Sequence, residues 1–334
     1  WYLPGYENFT AGEGVEDVEV RMAVRQIPIP YLQGQYADGY VFDSSLLYDL
    51  YQGLEQVRIL YLEAAVALAA GVGLLVLARC LREDRRRAEA AIAAGLDELC
   101  FTDHMEPVEW GVTTPRESFD WAALSAEFEA ARQAAGDRIV LRLGIELGDA
   151  PWALENTERL LAQAPPLDFV IGSIHMLSER YDGMDLYFFD PPNEAEARRG
   201  MADYLGQVRK LAEWGKFSVL GHLTLPVRYL NENRGFHLTF DGFEAEMEEI
   251  LRILIQQGRG IELNTNRGNT PLPDAKWLRM YRSLGGEIIT LGTDAHSRRY
   301  VGCAIQERQR LLRECGFKRF CTFDQMQPVW HALD

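Results

Sequence analysis

From about residue 84 onward, short apolar, β-branched runs alternate with longer amphipathic stretches, and this alternation most constrains what the chain can fold into. The apolar runs fall at 97–103, 138–147, 167–176, 217–225, 260–265, 287–294 and 317–323. Helical spacing of apolar residues marks 85–95, 118–135, 152–163, 193–214, 240–257, 274–284 and 303–314. Strand and helix repeated in this order predict a parallel sheet, closed as a barrel or open and doubly wound. The C-terminal ends of successive strands carry Asp103-His104, Glu146, His175, His222, Asn264, then Asp294 and His296. A βα barrel brings all such ends to one face, whereas a doubly wound sheet concentrates them at one switch point. No GxxxxGK[ST] or GxGxxG loop follows any strand, so the barrel is the expected α/β architecture.

The chain has 334 residues, enough for one large domain, or for a domain of about 250 residues plus an extra segment. Fifty acidic residues against 34 basic ones give a formal charge of −16. Such a balance argues against a nucleic-acid partner, because gripping a phosphate backbone needs clustered Lys and Arg. It still admits a small phosphorylated metabolite at a local positive centre such as a metal cluster. The five cysteines are odd in number and show no CxxC spacing, which reads as reduced thiols in a cytoplasmic protein. Oligomeric state leaves no trace in the sequence.

Residues 1–83 have a different character. The first fifty are acidic and turn-rich without clear periodicity, and Trp1 rather than Met opens the chain, so the true start of the gene product is expected to lie upstream. Residues 59–79 follow, in which the 15 from Ala64 to Ala78 carry no charge, and then the basic CLREDRRR. A membrane-spanning helix needs about 20 apolar residues. The stretch is therefore borderline: a membrane anchor is one reading, and a buried helix or strand is the favoured one.

Four of the six histidines, His104, His175, His222 and His296, stand at expected strand ends beside Glu146 and Asp294. Imidazole and carboxylate together are the ligand set of Zn, Mn and Fe sites, and a carboxylate can bridge two ions. His237 and His331 lie away from strand ends. Asp103 is a candidate to orient a ligand imidazole, or only caps the turn, while Glu106 reads as a loop residue. Arg228 in PVRY and Arg298 or Arg299 in HSRRY are placed to fork onto a phosphate, or are solvated charges. Asn264 and Asn266 either orient a substrate or bond the loop backbone.

FTDHMEP, GIELG, DFVIGSIHML, GHLTLPVRY, IELNTNRGNTPLPD and ITLGTDAHS resemble, in order and spacing, the PHP-domain phosphoesterases, most closely their histidinol-phosphate phosphatase branch. The resemblance covers about 84–325. It implies a distorted seven-stranded (β/α) barrel with up to three divalent metal ions at the strand ends. It also implies hydrolysis of a small phosphate ester such as L-histidinol phosphate by a metal-activated hydroxide. By the same resemblance His104 is a ligand, Glu146 bridges two metals, and His175 and His222 complete one of them. Asp294 and His296 serve the others, and Glu146, Asp294 and His296 are the expected catalytic residues.

The family pattern begins with a strand ending in His-x-His, and this chain has no histidine before His104. At that place it reads AAGVGLLVLARC, where GVGLLVLA suits an atypical first strand but offers no ligand. Three accounts stay open: a diverged first strand with fewer than three metals, a different module joined to an incomplete barrel, or a reading-frame artefact over 1–83. The enzyme reading therefore has a rival, a catalytically impaired metal-binding module.

Overall fold

The longest described helix shows how the local pattern becomes structure. Ala197, Gly200, Met201, Tyr204, Leu205, Val208, Leu211 and Ala212 recur at three- and four-residue steps and are all buried. Asn193 caps this helix by accepting the Glu196 N–H, Glu194 and Glu196 suit its positive end, and Gly215 at φ +63 ends it. Each large apolar side chain so buried contributes about 1.5–3 kcal/mol.

A computed structural model of the chain describes residues 83–109 and 113–333. All seven expected helices form with ends shifted by up to four residues: α1 over 83–93, α2 Trp121–Ala135, α3 Leu154–Leu161 and α4 Glu194–Trp214. A single turn, α5 Leu225–Val227, precedes α6 Glu244–Gln256, α7 Ala275–Ser283 and α8 Ile305–Glu314. Six strands, β1 Glu98–Met105, β2 Val140–Gly148, β3 Phe169–Ser173, β4 Val219–Leu220, β5 Gly260–Asn264 and β6 Ile289–Gly292, pair in sequential order. Every pairing among them is parallel, and the sheet curls into a half-barrel. The βα barrel reading therefore holds in class.

The seventh expected strand also forms, but in a different setting. Arg319–Asp324 (β7) pairs antiparallel with Gln327–Ala332 (β8) as a separate hairpin. Gln325 and Met326, at φ +48 and +64, make the two-residue turn whose twist suits a hairpin. Their N–H groups donate to Asp168, just before β3, at 3.1 and 2.9 Å. Cys321 and Phe323 pack with Phe169, Ile171 and Val219. The hairpin thus anchors on the sheet through side chains and its turn.

Residues 59–79 and the GVGLLVLA segment lie outside the described residues. Among those described, no helix is long and apolar enough to cross a membrane.

Candidate metal centre

Parallel register sets the site. His104 on β1 stands opposite Glu146 on β2, both near the C-terminal ends of their strands. His175 follows β3 by two residues, His222 follows β4 by two, and Asp294 follows β6 by two. Because all six strands run the same way, these positions converge.

Three imidazoles aim their Nε2 atoms at one carboxylate. His222 Nε2 is 2.9 Å and His175 Nε2 3.1 Å from Glu146 Oε1, and His104 Nε2 is 3.6 Å from Oε2. His104, Glu146 and His175 offer ligand atoms that all lie within 4.8 Å of one another. The His104 ring also stands 5.6 Å from that of His296, whose Nδ1 is 3.1 Å from Asp294 Oδ1. The six expected ligands are therefore neighbours. Glu146, His175 and His222 are buried, whereas the His296 side chain is 63% exposed and closes the cluster from the solvent side.

Arg228 is spoken for within this network. Its Nη1 donates to Asp294 at 2.7 Å, its Nη2 to Asn264 at 3.1 Å and its Nε to Asn266 at 2.8 Å. Asn264 in turn accepts the Asn266 N–H and donates to Glu262, so both asparagines tie the loop and the arginine together. Arg298 is exposed and makes no ion pair among the described residues, and Arg299 lies over the Tyr300 ring.

Asp103 is not where the sequence suggested. Neighbouring strand residues face opposite ways. Asp103 lies toward Asp84, whose carboxyl is raised by burial and next by the charge of Asp103. The carboxylate on the His104 ring is Glu106, with Oε1 2.8 Å from Nδ1; it is a loop residue just past β1, as expected, and it is buried. Two further acids went unread. Glu262 accepts the His222 N–H at 2.8 Å, and Asp149 accepts the His175 and Met176 N–H groups at 2.9 and 3.0 Å. His222 has φ +23, sparsely populated for a residue with a side chain, and its N–H bond to Glu262 holds it there. The signal for Glu262 was its two-residue offset from Asn264, which puts both on one strand face.

The electrostatics match a cation site. Burial would raise the Glu146 carboxyl, but hydrogen bonds from His175 and His222 hold it well below the usual range. Burial would also raise Asp294, and its bond to His296 and the Arg228 charge hold it well below. Burial would lower His175, yet Glu146 lifts it to about 10. Burial pushes Glu262 up to about 7 and Asp149 up to about 6. Glu106, Glu146, Asp149 and Glu262 are all buried around these histidines, and Arg228 offsets Asp294. Buried charge at this density needs compensation. Converging imidazole and carboxylate donors fit a divalent metal ion, and His104, Glu146 and His175 form a donor group that could hold one.

Fold and donor set together define a βα half-barrel protein with a candidate metal centre at its strand ends. The PHP domain family matches residues 85–266, more than half of the sequence, and the chain belongs to that family. It is 29% identical over 253 residues to the histidinol-phosphatase of Lactococcus lactis subsp. lactis, covering 73% of this chain and 89% of that one. It is 31% identical over 252 residues to the "probable histidinol-phosphatase" of Deinococcus radiodurans, covering 73% and 92%. Among solved structures it is similar to the Lactococcus histidinol phosphate phosphatase complexed with Zn, L-histidinol and phosphate. That match has a TM-score of 0.60 at 26% identity and covers 73% of this chain and 92% of that one.

Proposed function

We propose that this chain is a metal-dependent phosphomonoesterase that hydrolyses a small phosphate ester, with L-histidinol phosphate as the first substrate to test. The observation that carries the reading is the convergence of His104, His175 and His222 Nε2 on the Glu146 carboxylate, with Asp294 and His296 alongside. A zinc-, L-histidinol- and phosphate-bound relative of similar fold supports the choice of metal and substrate.

Divalent cations bound here would lower the pKa of water and offset phosphoryl charge. The chain's own residues supply the frame. Glu146 faces the imidazoles of His222 and His104, and Arg228 fixes Asp294 in one orientation. Arg228 is engaged by Asp294, Asn264 and Asn266 and orders that side of the cluster, and exposed Arg298, two residues after His296 in the chain, is the guanidinium to test for contact with a phosphate. Hydrolysis adds water oxygen to phosphorus, breaks the phosphorus–ester oxygen bond, and returns a proton to the departing alcohol.

A second reading, a catalytically impaired metal-binding module, is favoured by one feature: no histidine precedes His104. Metal analysis of the purified full chain, together with phosphate release from L-histidinol phosphate and a panel of small phosphate esters, separates the two. Two or more metals per chain with turnover supports the enzyme. One metal or none, with no turnover on any ester, sinks it.

A further inference from the structure

We propose that Glu106 is a positioning residue for the metal centre: its carboxylate holds the His104 imidazole at Nδ1, so that the His104 Nε2 faces Glu146. The inference rests on the metal-dependent reading above and adds to it the group that aims this donor.

Glu106 Oε1 lies 2.8 Å from His104 Nδ1 and 3.8 Å from His175 Nδ1. On the opposite side of the same rings, Nε2 of His104 is 3.6 Å and Nε2 of His175 is 3.1 Å from Glu146. The His104 ring is thus spanned by a carboxylate at either nitrogen, whereas Glu106 stays beyond hydrogen-bond distance of His175 Nδ1. An imidazole that donates its Nδ1–H to an acceptor presents the Nε2 lone pair in the ring plane, and the acceptor fixes which way that lone pair points. This one buried carboxylate oxygen sets the direction of the His104 ring.

The neighbouring backbone leaves room for this arrangement at a single place. Gly148 ends β2, and a Cβ built there would stand 2.9 Å from Glu106 Oε1 and 3.0 Å from His175 Nδ1. Gly148 is not in the left-handed region, so its backbone accepts alanine. What alanine would disturb is the Glu106 carboxylate oxygen, and with it the bond to His104 Nδ1. Gly148 therefore offers a route to the same contact that leaves Glu106 itself unchanged.

The test compares the full-length wild type with Glu106→Gln, Glu106→Leu and Gly148→Ala. Zinc affinity is measured by competition with a chromogenic chelator, and donor geometry by the visible spectrum of the cobalt-substituted protein. Gln keeps an acceptor for the Nδ1–H, so its zinc affinity and cobalt spectrum stay close to wild type. Leu and Gly148→Ala weaken zinc binding about 10–100-fold, the range for loss of an outer hydrogen-bond partner, and shift the cobalt spectrum. If Glu106→Leu does not fold, Gly148→Ala and Glu106→Gln carry the comparison. Tight zinc binding by the wild type with unaltered affinity and spectrum in the variants overturns this inference alone. A Gln variant as weak as Leu overturns it too, since the acceptor is still there. A wild type that takes up no zinc overturns the metal-dependent reading and this inference with it.

Discussion

His222 and Glu146, 76 residues apart in sequence, meet with Nε2 2.9 Å from Oε1 inside a buried cluster. Neither residue has a reason to be there for packing alone. An apolar pair of similar volume would avoid the desolvation cost that a buried ion pair carries. The contact makes chemical sense as a pair of donors suited to a divalent cation.

Glu146→Ala and His222→Ala are expected to lose bound metal and to reduce phosphate release to the rate of the metal-stripped protein. His237, exposed and outside the cluster, serves as the control, and His237→Ala should leave both readouts unchanged. Elemental analysis beside a phosphate assay checks this. Full activity in Glu146→Ala with metal content intact would refute the site as drawn.

Arg228→Met should both destabilise the fold and impair turnover. The guanidinium serves Asp294, Asn264 and Asn266 at once, and the Arg228 and Asp294 side chains are 8% and 12% exposed. Removing one member of such a pair strands the other, at a cost of about 3–5 kcal/mol. Urea unfolding of the metal-free variant measures the loss. Arg228→Lys should recover little of it, because a point charge cannot serve three acceptors in a fixed fork.

Without metal, stability should fall as pH rises from 6 to 9. Glu262, Asp149 and His175 keep protons in the folded state to about 7, 6 and 10, above their ordinary 4.5, 3.8 and 6.5. The folded state therefore binds more protons than the unfolded one across this range, and stability declines with pH. The His175 contribution is fully present below its ordinary value and is lost as pH passes through about 10. The penalty from the two acids sets in above their ordinary values and is complete by about 7. Saturating zinc should reverse the trend, since it binds deprotonated imidazole. Calorimetry at several pH values decides, and a metal-free Tm that rises over the range contradicts the assignment.

Gly144→Ala should weaken the sheet at its centre. A Cβ there would lie 2.7 Å from the Phe169 carbonyl oxygen and 2.9 Å from Cys100 Sγ. Gly144 pairs with Phe169 in the β2–β3 register, so backbone must yield. Overpacking of this kind costs about 1–3 kcal/mol. The measurement is a lowered urea midpoint with an unchanged m-value.

The chain's local periods determined much of this protein. Apolar spacing of two and of three to four residues located seven strands and seven helices from residue 84 on, though not β8 or the single turn α5, because those repeats are properties of the backbone itself. Polar residues at strand ends located the six-residue cluster, since parallel strands carry their C-terminal ends to one side whatever their exact pairing. Tertiary structure decided the rest. β7 turned back on β8 as a hairpin, which rests on a two-residue turn docked against Asp168, far away in sequence. His104 took its partner from Glu106 and not from adjacent Asp103, because strand pleating sends neighbours to opposite faces while the turn after β1 brings Glu106 back. The pairings made by Glu262, Asp149 and Arg228 were not legible in the sequence for a related reason. Their partners lie between 26 and 66 residues away, and only closure of the sheet fixes which polar atoms meet.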